Sequence, residues 1–237
     1  MFAKPNQLYK TKFKEGEPRY ATSEWVQNLG KVVSKSTTSM KLAAHLCGKR
    51  VNEVLSGNDE FLSTLPSYGF KRVQINATAV NGVDTTNLAD SVQTVAKLMS
   101  QYPQLEFILQ KNEETQPLWE GLLNCEGEHC GKKGYLPPNV SMLLDESKGT
   151  GVLANTLPNP PKEYEIGYAG GIGPKNIEKV LTDVLEAGNG RDIWIDMESS
   201  LRSKKDDIDV FDLNKCYQCI NAVVAAGIYK HPDFLGY

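Results

Sequence analysis

Apolar residues along this chain of 237 residues alternate between two rhythms. Short runs suited to buried strands fall at 41–48 (KLAAHLCG), 72–78 (RVQINAT), 105–110 (LEFILQ), 140–147 (VSMLLDES), 164–171 (YEIGYAGG) and 192–199 (DIWIDMES). Segments with helical spacing lie between them. VNEVL and EFLSTL follow the first run, interrupted by Ser56, Gly57 and Asn58. Leu88, Val92, Val95 and Met99 recur at helical spacing, and TQPLWEGLL (115–123) reads as a further helix. Ile177, Val180, Leu181, Val184 and Leu185 form an apolar stripe, with Pro174 suited to the first turn. Asp212 is placed to cap a last helix carrying Leu213, Ile220, Val223 and Val224. A further helix is expected from about Ser23 to Val33.

Six strand–helix units in series predict parallel pairing and an α/β fold. No GxGxxG or GxxxxGK[ST] follows any strand, so the nucleotide fingerprints of an open sheet are absent. Six units in one domain favour a TIM-type barrel over an open doubly wound sheet. The first 40 residues leave room for at most one or two short strands, so eight are not visible. The expected organisation is a single domain over 1–237, with 1–16 as a lead-in.

Strand parity adds chemistry to this outline. Side chains alternate across a strand, so each strand has two faces. One parity carries polar groups towards the C-terminal end: His45 and Cys47; Gln74, Asn76 and Thr78; Gln110 and Asn112; Asp145 and Ser147; Asp196 and Glu198. The other parity is largely apolar: Val73, Ile75 and Ala77; Phe107 and Leu109; Ile193, Ile195 and Met197. In a barrel the polar groups would gather at the mouth where the strands end, which is where active sites sit.

Charge and cysteine content narrow the function class. Twenty-six basic against 29 acidic side chains give a net charge of −3, with a pI near 5.7. Such a chain has no positive excess with which to hold nucleic acid or an anionic membrane. No stretch free of polar side chains approaches the ~20 residues that span a bilayer. MFAKPNQLYK lacks the apolar core of a signal peptide. Five cysteines, an odd count, argue against a disulfide framework and for a reducing, cytoplasmic compartment. CEGEHC (125–130) places two thiols and His129 close together, but no fourth ligand is evident; a solvated loop is expected there, with no metal. Cys216 and Cys219 fit core packing on a helix. Lys111, at a strand end, is a Schiff-base candidate. The mixed-charge run RSKKDDID (202–209) reads as a solvated loop.

Several of these motifs, in order over roughly 17–225, resemble the phosphoribosylanthranilate isomerase family, a TIM barrel of tryptophan biosynthesis. EPRYATSEWVQNL (17–29) is similar to the family's SPRYVS segment, and KLAAHLCG to its third strand. RVQINA stands where the family has VQLHG. LLDESKGTG (143–151) resembles LLDS followed by GGTG, and YAGGIGPKNIEKVL (168–181) resembles LAGGLTPENV. DIWIDMESSLR (192–202) and DVFDLNKCYQCI resemble GVDVSSGVE and the closing helix.

The resemblance implies an aldose-to-ketose isomerisation of a phosphorylated sugar, needing one acid, one base and no cofactor. Asp145 would be the acid and Arg19 the clamp for a substrate carboxylate. Gln74 and Asn76 would meet substrate, and Gly170, Gly171, Ser199 and Ser200 would cradle phosphate. Glycines let backbone approach an anion, and helix N-termini attract one. The family's cysteine base sits on a first strand that would fall before Met1, so Cys47 is the candidate replacement. The barrel is therefore expected to be incomplete or rebuilt at its N-terminus, with Leu8 to Phe13 or a second copy covering the gap. The partner expected is a phosphorylated small molecule, bound by a monomer or homodimer. The alternative is a non-catalytic relative that binds a phosphorylated metabolite or serves as a scaffold.

Overall fold

A computed structural model of the chain describes residues 21–36, 40–145 and 157–228. Arg19, Leu8 to Phe13 and Ser147 lie outside the described residues. The fold is α/β. Six strands neighbour one another in chain order, and two more form a separate antiparallel pair. The chain divides between Met142 and Leu143, within the fourth strand, into two compact units.

The first unit opens with helix α1 (Ser23–Lys35), capped by the Thr22 hydroxyl accepting from the Trp25 N–H at 3.1 Å. Strand β1 (Leu42–Leu46) leads to the short helix α2 (Lys49–Leu55). Strand β2 (Phe70–Ile75), helix α3 (Val92–Gln101), strand β3 (Glu106–Lys111), helix α4 (Gln116–Leu123) and strand β4 (Val140–Leu144) follow. β1, β2 and β3 are parallel, with His45 opposite Gln74 and Gln74 opposite Ile108. The ladder continues through the Phe107 N–H, which donates to the Asn139 carbonyl at 2.8 Å, at the start of β4. The apolar parity is buried as the sequence predicts: Val73, Ile75, Phe107 and Leu109 are all at most 1% exposed. Leu88 is equally buried, but it sits in the turn before α3 rather than on the helix, which starts at Val92.

Gly30 shows why α1 needs a glycine where its stripe meets the unit. A Cβ there would overlap the Tyr68 carbonyl oxygen, which is backbone and cannot swing aside. The approach is held from the other side by Gln27, whose Nε2 donates to the Tyr68 hydroxyl at 3.0 Å.

The second unit takes up the chain at Leu143. Strand β5 (Glu165–Tyr168) is followed by helix α5 (Ile177–Gly188) and the two-residue strand β6 (Trp194–Ile195). The Ala169 N–H donates to the Leu144 carbonyl and the Asp196 N–H to the Tyr168 carbonyl, both at 2.9 Å. β5 and β6 are parallel, and the Trp194 ring lies directly against Gly167. Ile177, Val180, Leu181 and Val184 are buried as predicted, whereas Leu185 is exposed. The Pro-rich run before β5 is pinned where the Tyr168 hydroxyl donates to the Pro158 carbonyl at 2.5 Å, and where Arg191 donates to the Pro160 and Pro161 carbonyls.

Two expectations about the chain's C-terminal third are corrected. RSKKDDID is not a solvated loop: Arg202–Lys205 (β7) and Ile208–Phe211 (β8) form an antiparallel hairpin. Asp206 and Asp207 both take positive φ, +50° and +62°, as the tight turn favoured in two-residue hairpins requires. Helix α6 (Leu213–Ala225) is capped by Asp212 as predicted, yet Leu213, Ile220 and Val224 point to solvent and Cys219 is its buried residue. A third correction concerns cysteine. Cys125 and Cys130 are joined in a disulfide, with Cα atoms 5.5 Å apart, against the expectation drawn from the odd count. The pair closes a loop of a few residues, so it needs no wider framework of bridges. Its sulfurs are thereby spent as metal ligands, and His129 instead meets the Ser100 hydroxyl at 3.1 Å. No described helix is long and apolar enough to cross a membrane.

Candidate functional site

The polar strand ends fall into two groups, one in each unit. In the first unit Gln74 and Asn76 are buried, and their amides are committed to each other: Gln74 Nε2 donates to Asn76 Oδ1 at 2.9 Å. Asn76 Nδ2 in turn meets His45 Nε2. Asn112 and Thr115 close a second small network, in which the Thr115 N–H donates to Asn112 Oδ1 at 3.1 Å. The Thr115 hydroxyl donates to the Gln110 carbonyl at 2.6 Å. These bonds organise the strand ends, while Asn112 Nδ2 is buried without a partner among the described residues, which carries a desolvation penalty of ~1–3 kcal/mol. Cys47 follows β1, half-buried and outside any disulfide, just before Gly48 begins α2 with φ +49°. Lys111, at the end of β3, places its ammonium 4.9 Å from the centre of the Trp119 ring. That is a cation–π contact typical of a structural lysine.

In the second unit the strand ends are charged and more open. Asp145 directly follows β4, Gly170 and Gly171 follow β5, and Asp196 and Glu198 follow β6. Two successive ladder bonds bring these three ends level with one another. Gly170 and Gly171 have φ of +105° and +62°, a conformation that side chains disfavour, so the turn calls for glycine. Asn176 holds the turn from within: its Oδ1 accepts from the Gly173 N–H at 2.9 Å, and its Nδ2 donates to the Gly171 carbonyl at 3.0 Å. Pro174 lies in this turn rather than in the first turn of α5, which begins at Ile177.

The glycine turn and the Ser199–Ser200 turn converge. A Cβ on Gly173 would overlap that of Ser200, so the two backbones are in close contact. Ser199–Leu201 is a single 3-10 turn closed by the Leu201 N–H donating to the Glu198 carbonyl at 3.1 Å. Among the described residues, the N–H groups of Gly170, Gly171, Ile172, Ser199 and Ser200 have no hydrogen-bond partner. Five unpartnered donors at two converging turns, beside the N-terminus of a 12-residue helix, are suited to an anion.

Asn176 is the residue that strand parity missed. It lies outside any strand, and its signal is the PxN that follows the glycines: a side chain able to bond both sides of a tight turn. Of the predicted set, Asp145, Gly170, Gly171, Ser199 and Ser200 belong to the second unit. Cys47, Gln74 and Asn76 belong to the first, and Arg19 lies outside the described residues.

No family model matches the chain, and no curated protein matches it. A solved structure is similar to it: N-(5'-phosphoribosyl)anthranilate isomerase from Pyrococcus furiosus. The two share 13% identity over 93% of this chain and 92% of that chain, with a TM-score of 0.42.

Proposed function

We propose that this protein is a TIM-type barrel acting on a phosphorylated sugar, as an aldose–ketose isomerase or a close chemical equivalent. The observation that carries this reading is the set of unpartnered N–H groups at Gly170, Gly171, Ile172, Ser199 and Ser200, where two turns meet. A phosphate monoester has several acceptor oxygens and a double charge, and it would satisfy these donors together. Asp145, one strand over, is the group that would exchange a proton with the sugar. Such a rearrangement moves a proton between adjacent carbons, so an acid and a base must both reach the substrate. Asp196 is a further carboxylate at these strand ends, its N–H bonded to the Tyr168 carbonyl at the end of β5. The proposal rests on the second unit alone.

The alternative is phosphate-ester binding without turnover. Glu198, exposed and immediately before Ser199, favours it, because a second negative charge beside the cradle weakens the hold on a dianion. Both readings are tested by adding ribose 5-phosphate and following binding calorimetrically and ketose formation by NMR. Binding with turnover that Asp145→Asn abolishes supports the isomerase. Binding without turnover selects the alternative, and no binding at millimolar ligand removes both.

A further inference from the structure

A concavity with charged side chains at its wall lies in the first unit, where the strands begin. Met40, Lys41, Gly69, Lys71, Arg72 and Glu106 line a pocket of about 410 Å³ where β1, β2 and β3 begin. That size falls within the ~300–1,000 Å³ of small-molecule sites. Three cations against one carboxylate give the lining a formal charge of +2, in a chain whose net charge is −3. A local reversal of sign of this kind concentrates anions.

The charges are not evenly committed. Glu106 spends both its oxygens on the protein: Oε2 accepts from Arg72 Nε at 2.7 Å, and Oε1 accepts from the Ser141 hydroxyl at 2.9 Å. The carboxylate thus fixes the guanidinium by its inner nitrogen. The two outer nitrogens of Arg72 have no partner among the described residues, and neither do the ammonium groups of Lys41 and Lys71. A guanidinium oriented from behind, with its outer donors open, matches the paired oxygens of a phosphate or carboxylate. Gly69, at φ +84°, has nothing within 4 Å of where a Cβ would stand, so the rim is open.

We propose that this pocket is a binding site for a small dianion, a phosphate monoester or a dicarboxylate. Arg72 is the oriented clamp, and Lys41 and Lys71 are flanking point charges. The inference is independent of the proposed function, since its residues all belong to the first unit.

The test is an amide NMR titration of the whole protein with inorganic phosphate and, separately, malonate, in 150 millimolar chloride as ~8 Å screening background. Saturable shifts at Lys41, Gly69 and Lys71 with either probe support the site, and the tighter probe names the ligand class. The Lys41→Gln, Lys71→Gln double variant leaves the Arg72–Glu106 pair intact and should still fold. It should weaken binding roughly tenfold, which corresponds to ~1.4 kcal/mol. Shifts at Gly171 and Ser200 should stay as in the parent, so failure here and failure of the phosphate cradle are read from different residues. Shifts that do not saturate with either probe, or an affinity unchanged in the double variant, would overturn the proposal.

Discussion

In the first unit, the side chains at the carboxyl ends of the strands are neutral amides buried against one another. In the second, they are carboxylates beside glycine-rich backbone. Gln74 and Asn76 are buried and joined by one hydrogen bond, and Asn76 Nδ2 meets His45. Asp145 and Asp196 are only half-buried, and the turns next to them leave five backbone donors outward. The same strand parity therefore serves two purposes. The bonded Gln74, Asn76 and His45 side chains fix one arrangement of their strand ends and hold little capacity for a ligand, whereas Asn112 Nδ2 is buried without a partner among the described residues. Unsatisfied donors where two turns meet have not been offset by the protein itself, so a ligand can still gain from them. Polar residues at strand ends are not equivalent evidence of a site: at Gln74 and Asn76 the polar groups are side chains bonded to one another, while at Gly170 to Ile172 and Ser199 to Ser200 they are unpartnered backbone N–H groups.

The largest expected effect tests whether the second unit's geometry is as tight as its contacts require. Gly167→Ala drives a methyl group into the Trp194 ring, held by neighbouring backbone on a two-residue strand. Overpacking of this kind costs about 1–3 kcal/mol or somewhat more, seen as a fall in Tm of several degrees. It should also weaken phosphate binding, because β6 carries the Ser199–Ser200 turn. The matched change in the first unit, Gly30→Ala, should lower Tm comparably through Tyr68 and leave phosphate binding alone. Equal loss of binding in both variants would erase the distinction.

A smaller effect is expected from the amide network. Asn76→Leu removes both bonds at once and leaves Gln74 Nε2 buried without its acceptor, at about 1–3 kcal/mol. Urea denaturation should show the lower midpoint, with phosphate affinity at the level of the parent. A loss of turnover beyond the loss of folded protein would move Asn76 from scaffold to site.

Asp145→Asn should reverse that pattern. The side chain follows the strand rather than sitting within its buried run, so the midpoint should move by less than ~0.5 kcal/mol. Turnover on a phosphorylated aldose should disappear. A large stability loss with unchanged turnover would assign Asp145 to the structure.

The smallest effect concerns the hairpin and α6. Asp212 accepts from the Ser203 hydroxyl at 2.6 Å and from two N–H groups at the start of α6, and its carboxyl lies below the ordinary 3.8 chiefly because of the Ser203 bond. A depressed carboxyl contributes stability that is present above 3.8 and is lost as the pH falls through the lower folded value. Hydrogen exchange at Asn214 and Lys215 should therefore accelerate below that pH, and Asp212→Asn should flatten the dependence. Acceleration unchanged in the variant would place the titration elsewhere.

Much of the architecture was legible in the residues. All six strands of the main sheet announce themselves as short, largely apolar runs set between segments of helical spacing. The hairpin was hidden for the opposite reason. Lys204, Lys205, Asp206 and Asp207 look like a solvated loop, and only the left-handed tolerance of aspartate makes them a turn. The Cys125–Cys130 bridge was missed because an odd cysteine count says nothing about two thiols five residues apart. At the site, strand parity pointed to the carboxylates and the glycines. It could not say which N–H groups would be left over, since that depends on where Asn176 and the 3-10 turn at Ser199 direct their own bonds.

The central claim is that the second unit's converging turns hold an anion, and amide NMR of the intact protein during a titration with inorganic phosphate tests it most directly. The account predicts saturable shifts at Gly170, Gly171, Ile172, Ser199 and Ser200, with Gln74 and Asn76 unmoved. Shifts spread evenly over the surface, or none at these five amides at millimolar phosphate, would contradict it.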